Sequence, residues 1–217
     1  MRTIKDAWLP HGLASIFLKL LTKGSMNHQP SDLVPCQTYV LQQKAIPSNV
    51  VYRDMYDDAM TAIHSYLIQE SKNAKMTHMS ELIPKHHKDG EISWRLTPKQ
   101  DHLVCFLGGS LMLGATHTGT VTQQPVSIPP RLEELVENGQ RDWKTGVELI
   151  KTCMNTHDTA SGLSPEIVYF RVPSDGMDGY NIAPSDWYIH GAQKGEFPPY
   201  DTCLVIVMGL ATHAGYG

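Results

Sequence analysis

Residues 94–115 read WRLTPKQDHLVCFLGGSLMLGA, and the interpretation of this run decides which fold the chain is expected to have. Pro98 suits the first turn of a helix, where a missing amide hydrogen costs nothing, and Leu103, Phe106, Leu107, Leu111 and Leu113 then supply apolar surface. The spacing predicts a helix from Pro98 through Gly114, apolar on nearly every side and therefore buried.

Outward from this helix, further helical signals flank it. In residues 56–71, Tyr56, Met60, Ile63 and Leu67 recur at steps of three and four, with Asp57 and Asp58 near the amino end where the helix dipole favours acids. In residues 143–156, Trp143, Val147, Ile150 and Met154 form a second stripe. Ser164 and Pro165 fit a cap and first turn, so residues 164–170 are read as the start of another helix. The Pro, Thr, Gln and Ser residues of 119–130 read as a surface loop, and residues 172–199 are similarly rich in Gly, Pro and Asp. No strand pair with alternation and a tight turn stands out, and no repeat of fixed period is present. The expected fold class is all-α.

Composition narrows the function classes. The chain has 217 residues, 41% of them apolar, with 18 basic and 22 acidic side chains for a formal charge of -4. That balance lacks the basic excess which a phosphate backbone selects, so nucleic acid is not an expected partner. Residues 16–21 are apolar but interrupted by Lys19, and residues 203–211 (CLVIVMGLA) are equally short. Both fall well under the roughly 20 residues needed to cross a bilayer, so no transmembrane segment is expected. No small-residue cleavage pattern of a signal sequence is visible either. Cys36, Cys105, Cys153 and Cys203 occur singly. Spacing leaves open whether they are free thiols or disulfide partners.

Three local features bear on chemistry. His102 beside Asp101 reads either as a packed, hydrogen-bonded core histidine or, if it faces a cavity, as a ligand for a polar molecule. Glu166, in GLSPEIVYF, reads either as a first-turn glutamate favouring the helix dipole or as a partly desolvated acid whose raised pKa suits a proton donor. The chain also has eleven histidines, including His86 and His87 side by side, without HExxH or other metal-ligand spacing. They read as scattered surface residues, and no metal ligand is assigned.

Longer strings are more specific than these single residues. VYRDMYDDAMTAIHSYL (51–67), the 94–115 run, and RDWKTGVELIKTCMNTHDTASGLSPEIVYFRVPSDGMD (141–178) together resemble glycoside hydrolase family 47, the class I α-1,2-mannosidases, in a fungal form. The likeness covers residues 51–201, with weaker traces in GLASIF (12–17) and HQPSDLV (28–34). DHLVCF followed by GLSPEI is its strongest element. The resemblance implies an (α/α)7 barrel of which this chain is a part, truncated at both ends. It implies inverting hydrolysis of terminal α-1,2-linked mannose on high-mannose N-glycans, for which one carboxylic acid protonates the leaving oxygen while another, about 6.5–9.5 Å away, activates water. Onto this chain it carries Glu166 as the proton donor and His102 as a substrate-binding residue. It further implies a disulfide between Cys105 and Cys153, a bound Ca2+ ion, and a place in the endoplasmic reticulum or Golgi, where disulfides persist. Cys36 and Cys203 acquire no partner.

The chain departs from the family pattern in two places. Residues 35–49 (PCQTYVLQQKAIPSN) stand where the family has a glycine-rich turn and a catalytic aspartate. After FPPYD (197–201) the chain reads TCLVIVMGLATHAGYG in place of an Arg-Pro-Glu-Thr motif, and the family's calcium-ligating threonine has no counterpart. The expected organisation is therefore a degraded amino-terminal part of the catalytic domain (1–50), its central part (51–201) and an unrelated tail (202–217). Two functions follow as expectations: an inactive piece of an α-1,2-mannosidase, or a noncatalytic module that binds high-mannose glycans in glycoprotein quality control.

Overall fold

The computed structural model describes residues 45, 50–122, 124–159, 162–173 and 186–189. Cys36, Cys203, the tail 202–217, and the GLASIF, HQPSDLV and FPPYD strings lie outside the described residues, as does most of 1–50 and of 172–199.

Helix α1 spans Val50–Tyr66. Tyr56, Met60 and Ile63 lie on one side of it and are buried, and Leu67 extends the same stripe just past the last turn. The amide of Leu67 still donates to the carbonyl of Ile63 at 2.9 Å. Beyond it the chain becomes extended: β1 (Ile68–Glu70) pairs antiparallel with β2 (Thr77–Met79), so the helix does not continue to Ser71.

Two further strands follow, β3 (Glu81–His86) and β4 (Ile92–Thr97), with Glu81 opposite Thr97 and His86 opposite Ile92. Their turn is built by Asp89 and Gly90. Gly90 has φ +83°, a conformation that L side chains rarely adopt, and the Asp89 carboxylate accepts from the amide of Glu91 at 3.0 Å. Strand β5 (Lys99–Asp101) leads into a single 3-10 turn, His102–Val104, and then helix α2 (Cys105–His117). Helix α3 spans Glu137–Asn155. Strand β6 (Ile167–Phe170) lies between β5 and β7 (Trp187–Tyr188) in a three-stranded antiparallel sheet.

The described residues thus contain three α-helices and seven strands in three small sheets, which overturns the all-α expectation and the (α/α)7 barrel with it. Pro98 does not open α2; the residues after it form a strand, and the helix starts at Cys105. Residues 164–170 are not a helix either, because Ile167–Phe170 pairs with Lys99–Asp101. The reason is partly one of length. Strands of three or four residues complete too few alternations to outweigh a nearby 3.6-residue pattern, and their stability comes from partners distant in sequence. In the β3–β4 hairpin the alternation is present, but Pro84, opposite Trp94, disguises it.

The main core joins α1, α2 and α3 through Met60, Ile63, Leu107, Leu111 and Leu149, each fully buried. Side chains of this kind contribute about 1.5–3 kcal/mol apiece relative to exposure. The buried stripe of α3 is Asp142, Gly146, Leu149, Ile150 and Cys153. It corrects the predicted stripe: Trp143 and Val147 are half-buried, and Met154 is 41% exposed. Glycines explain how closely α2 and α3 pack. A Cβ on Gly146 would meet the carbonyl oxygen of Gly108 at 2.7 Å, and one on Gly108 would meet the carbonyl of Gly146 at 3.0 Å. About one turn before Gly108 on α2, Cys105 is joined to Cys153 by a disulfide, with 48 residues of sequence separation and Cα atoms 6.0 Å apart. A second, smaller cluster of Val168, Phe170 and Trp187 lies under the β5–β6–β7 sheet, with Met76 and Ile189 packed against it.

Candidate active site

The site grows from the register of β5 on β6. Asp101 pairs with Ile167, and one step further along both strands the backbone amide of His102 donates to the carbonyl of Glu166 at 2.9 Å. Antiparallel neighbours of this kind stand side by side. Asp101 caps the short turn, its carboxylate accepting from the amide of Leu103 at 2.9 Å. This capping holds His102 where strand gives way to helix.

The imidazole is oriented by the same elements. Nδ1 of His102 lies 3.4 Å from the Glu166 carbonyl oxygen and 3.6 Å from Oδ1 of Asp101. Both atoms are acceptors, so the proton belongs on Nδ1. Only 10% of the His102 side chain is exposed. Glu166, by contrast, is an exposed residue in a bend. It does not stand in the first turn of a helix, which corrects that reading of the glutamate.

The segment leading to Glu166 is anchored on its other side as well. Thr156, just past α3, donates through Oγ1 to the carbonyl of Cys153 at 2.7 Å and lies 2.8 Å from the hydroxyl of Ser164. Thr159 donates to the carbonyl of Leu163 at 2.9 Å. With Cys153 covalently tied to Cys105, three residues after His102, the two ends of the site share one support. Gln100 completes it from β5: its Oε1 accepts from the amide of Met79 at 2.9 Å, while Nε2 approaches the Cys153 sulfur at 3.9 Å.

The model that matches residues 36–195 is that of glycosyl hydrolase family 47. The chain belongs to this family. Among similar members of glycosyl hydrolase family 47, a mannosyl-oligosaccharide 1,2-alpha-mannosidase of Candida albicans is 35% identical over 162 residues, 73% of this chain and 26% of that protein. One from Arabidopsis thaliana is 40% identical over 147 residues, 65% of this chain and 22% of the relative. An endoplasmic reticulum mannosyl-oligosaccharide 1,2-alpha-mannosidase of Schizosaccharomyces pombe is 34% identical over 180 residues, covering 80% and 32%. The chain therefore spans between 22% and 32% of the length of these curated relatives.

Calcium was the metal implied by the resemblance to family 47. Among the described residues no three His, Cys, Asp or Glu side chains stand together, so these residues do not make a site for the ion. Nor is any helix among the described residues long and apolar enough to cross a membrane.

Three buried groups of this family member escaped the sequence reading. Asp142, on α3, receives His64 Nε2 at 2.9 Å and Arg141 at 2.8 Å on one carboxylate oxygen and the Tyr56 hydroxyl at 3.4 Å on the other. Its position one turn before Gly146 and two before Leu149 is the signal that could have found it, an acid inside an apolar stripe. Asp186 accepts from Ser71 Oγ (2.8 Å), the amides of Asn73 (2.5 Å) and Ala74 (2.6 Å), and Asn73 Nδ2 (2.7 Å). Burial raises its pKa, but these donors together outweigh that and hold the carboxyl below its ordinary range. The third is His78, which has no local sequence signal.

Proposed function

We propose that this chain is part of an α-1,2-mannosidase of the secretory pathway, acting on terminal α-1,2-linked mannose of high-mannose N-glycans. Membership in family 47 and the printed names of the relatives support the substrate class; names of several relatives that include the endoplasmic reticulum support the compartment. The single observation that carries the residue assignment is the hydrogen bond between the His102 amide and the Glu166 carbonyl, within the matched region.

In this reading Glu166 is the proton donor to the leaving glycosidic oxygen. Its exposed carboxyl is accessible to the leaving oxygen of a bound sugar. His102 orients the sugar ring. Its Nδ1 lies 3.4 Å from the carbonyl of Glu166, which sets the ring beside that residue. Inversion requires a second carboxylate as base for water. The Asp101 carboxylate is engaged in capping Leu103, and this favours a second reading in which the chain binds the glycan without cleaving it.

The test is incubation of the full chain with a nine-mannose N-glycan and calcium, with a glycan-affinity column run in parallel. Release of mannose that falls at least a hundredfold in Glu166→Gln supports the hydrolase. Retention on the column without release supports the binding module. Release unaffected by Glu166→Gln and His102→Ala overturns the residue assignment, and failure both to bind and to cleave overturns the proposal for this chain.

A further inference from the structure

His78, in the middle of β2, is completely buried. Its ring stacks on Phe170 of β6 with centroids 4.2 Å apart and planes 13° from parallel. Nδ1 lies 3.3 Å from the carbonyl of Met76, an acceptor, so the imidazole proton sits there. Nε2 is buried and has no hydrogen-bond partner among the described residues. A second proton would have to enter at Nε2, creating a cation with no acceptor in an aromatic layer.

Among the described residues, no neighbouring element supplies a compensating carboxylate. On β1 the residue paired with His78 is Gln69, and strand alternation turns Glu70 to the other face. On β5, Gln100 is the side chain that reaches β2, while Lys99 and Asp101 alternate away from it. On β6 Phe170 makes the contact, with Tyr169 and Arg171 on either side of it in sequence. On β7 Trp187 lies opposite Phe170, and the preceding Asp186 is engaged by Ser71, Asn73 and Ala74. On α3 the contact to β2 is Thr152, whose hydroxyl donates to the carbonyl of Thr77 at 2.7 Å; the adjoining Lys151 is exposed.

We propose that His78 is an acid-sensitive latch: when Nε2 takes up a proton, the β1–β2 ribbon separates from β6, the strand whose amino end adjoins Glu166. Burial pushes the His78 pKa down from 6.5 to about 4, and the Met76 carbonyl offsets this only in part. The opened form, with the ring in water, binds the proton more readily. Acid therefore favours opening, and the effect develops as pH falls through the interval from 6.5 towards 4. Between pH 7.5 and pH 5 the opening equilibrium rises about thirtyfold by this linkage.

The experiment is hydrogen exchange of the full chain at pH 7.5 and pH 5, expressed as protection factors for the amides of residues 77–79 and 168–170. The wild-type chain loses about thirtyfold in protection at these amides at the lower pH. In His78→Phe, which retains the stacking on Phe170 without a titrating group, and in His78→Gln, which retains polarity, that loss is absent. Where His78→Gln does not fold, His78→Phe alone decides. An equal loss in the wild type and His78→Phe, or no loss in the wild type, overturns the proposal. The readout is independent of any glycosidase activity.

Discussion

His102 and Glu166, 64 residues apart, are joined through the backbone: the amide of one donates to the carbonyl of the other at 2.9 Å, and Nδ1 of the same histidine lies 3.4 Å from that oxygen. The contact uses no atom of the Glu166 side chain. Structure and chemistry at this position are therefore separable. Glu166→Gln, at an exposed residue, is expected to change stability by less than about 0.5 kcal/mol. A urea midpoint shifted well beyond that would show that the carboxylate has a structural role.

The disulfide between Cys105 and Cys153 should dominate stability around this site. Closing a chain segment with a sequence separation of 48 residues is worth about 4 kcal/mol in the chain-entropy account. Denaturant unfolding with and without reductant measures it, and Cys105→Ser with Cys153→Ser should reproduce the reduced protein. A difference below about 1 kcal/mol would mean that other contacts hold α2 and α3 together at this end.

Gly146→Ala tests the same helix pair at its glycine contact, about one turn along α2 from the disulfide. The added methyl would sit 2.7 Å from the carbonyl oxygen of Gly108 and 2.8 Å from Met112 Cγ, so the helices must separate. Overpacking of this sort costs about 1–3 kcal/mol, against the few tenths gained from helix propensity. Thermal melting of the variant should show a lower midpoint.

Asp142→Ala leaves His64, Arg141 and Tyr56 without their shared acceptor in a largely buried position. Removing one member of such a group is expected to cost about 3 kcal/mol. A double-mutant cycle with His64→Ala isolates the coupling between α1 and α3, which should exceed about 0.5 kcal/mol. Strict additivity would argue that the two side chains act independently.

Asp186 gives a signed pH dependence. Its folded-state pKa lies below the ordinary carboxylate value because the hydrogen bonds from Ser71, Ala74 and Asn73 outweigh the effect of burial. The resulting stabilisation is present above the unfolded carboxylate range and is lost as pH falls through it towards the lower folded value. Asp186→Asn should therefore be less stable than wild type at pH 7, with the gap narrowing towards pH 3. Melting curves at a series of pH values check this.

What was legible in the chain follows the range of the interactions involved. The Tyr56, Met60, Ile63 and Leu67 stripe could be read because one helical segment contains the whole pattern, and the burial of α2 followed from its lack of a polar side. The α3 stripe was read one position away from the buried one, since Trp143 and Val147 are apolar enough to imitate it while the true stripe contains Asp142 and Gly146. Asp89 and Gly90 contained the hairpin signal, but Pro84 and the exposed Ile92 and Leu96 obscured the strands around it.

By itself, the sequence determined the helical cores of α1 and α2 and the family through DHLVCF and GLSPEI. Only the tertiary structure decided that Lys99–Asp101 and Ile167–Phe170 are strands, that Glu166 is exposed while His102 is largely enclosed, and that Asp142, Asp186 and His78 are buried. The physical reason is that helices satisfy their backbone hydrogen bonds within a few residues, whereas a strand of three or four residues and a buried polar side chain are defined by partners that the local sequence does not name.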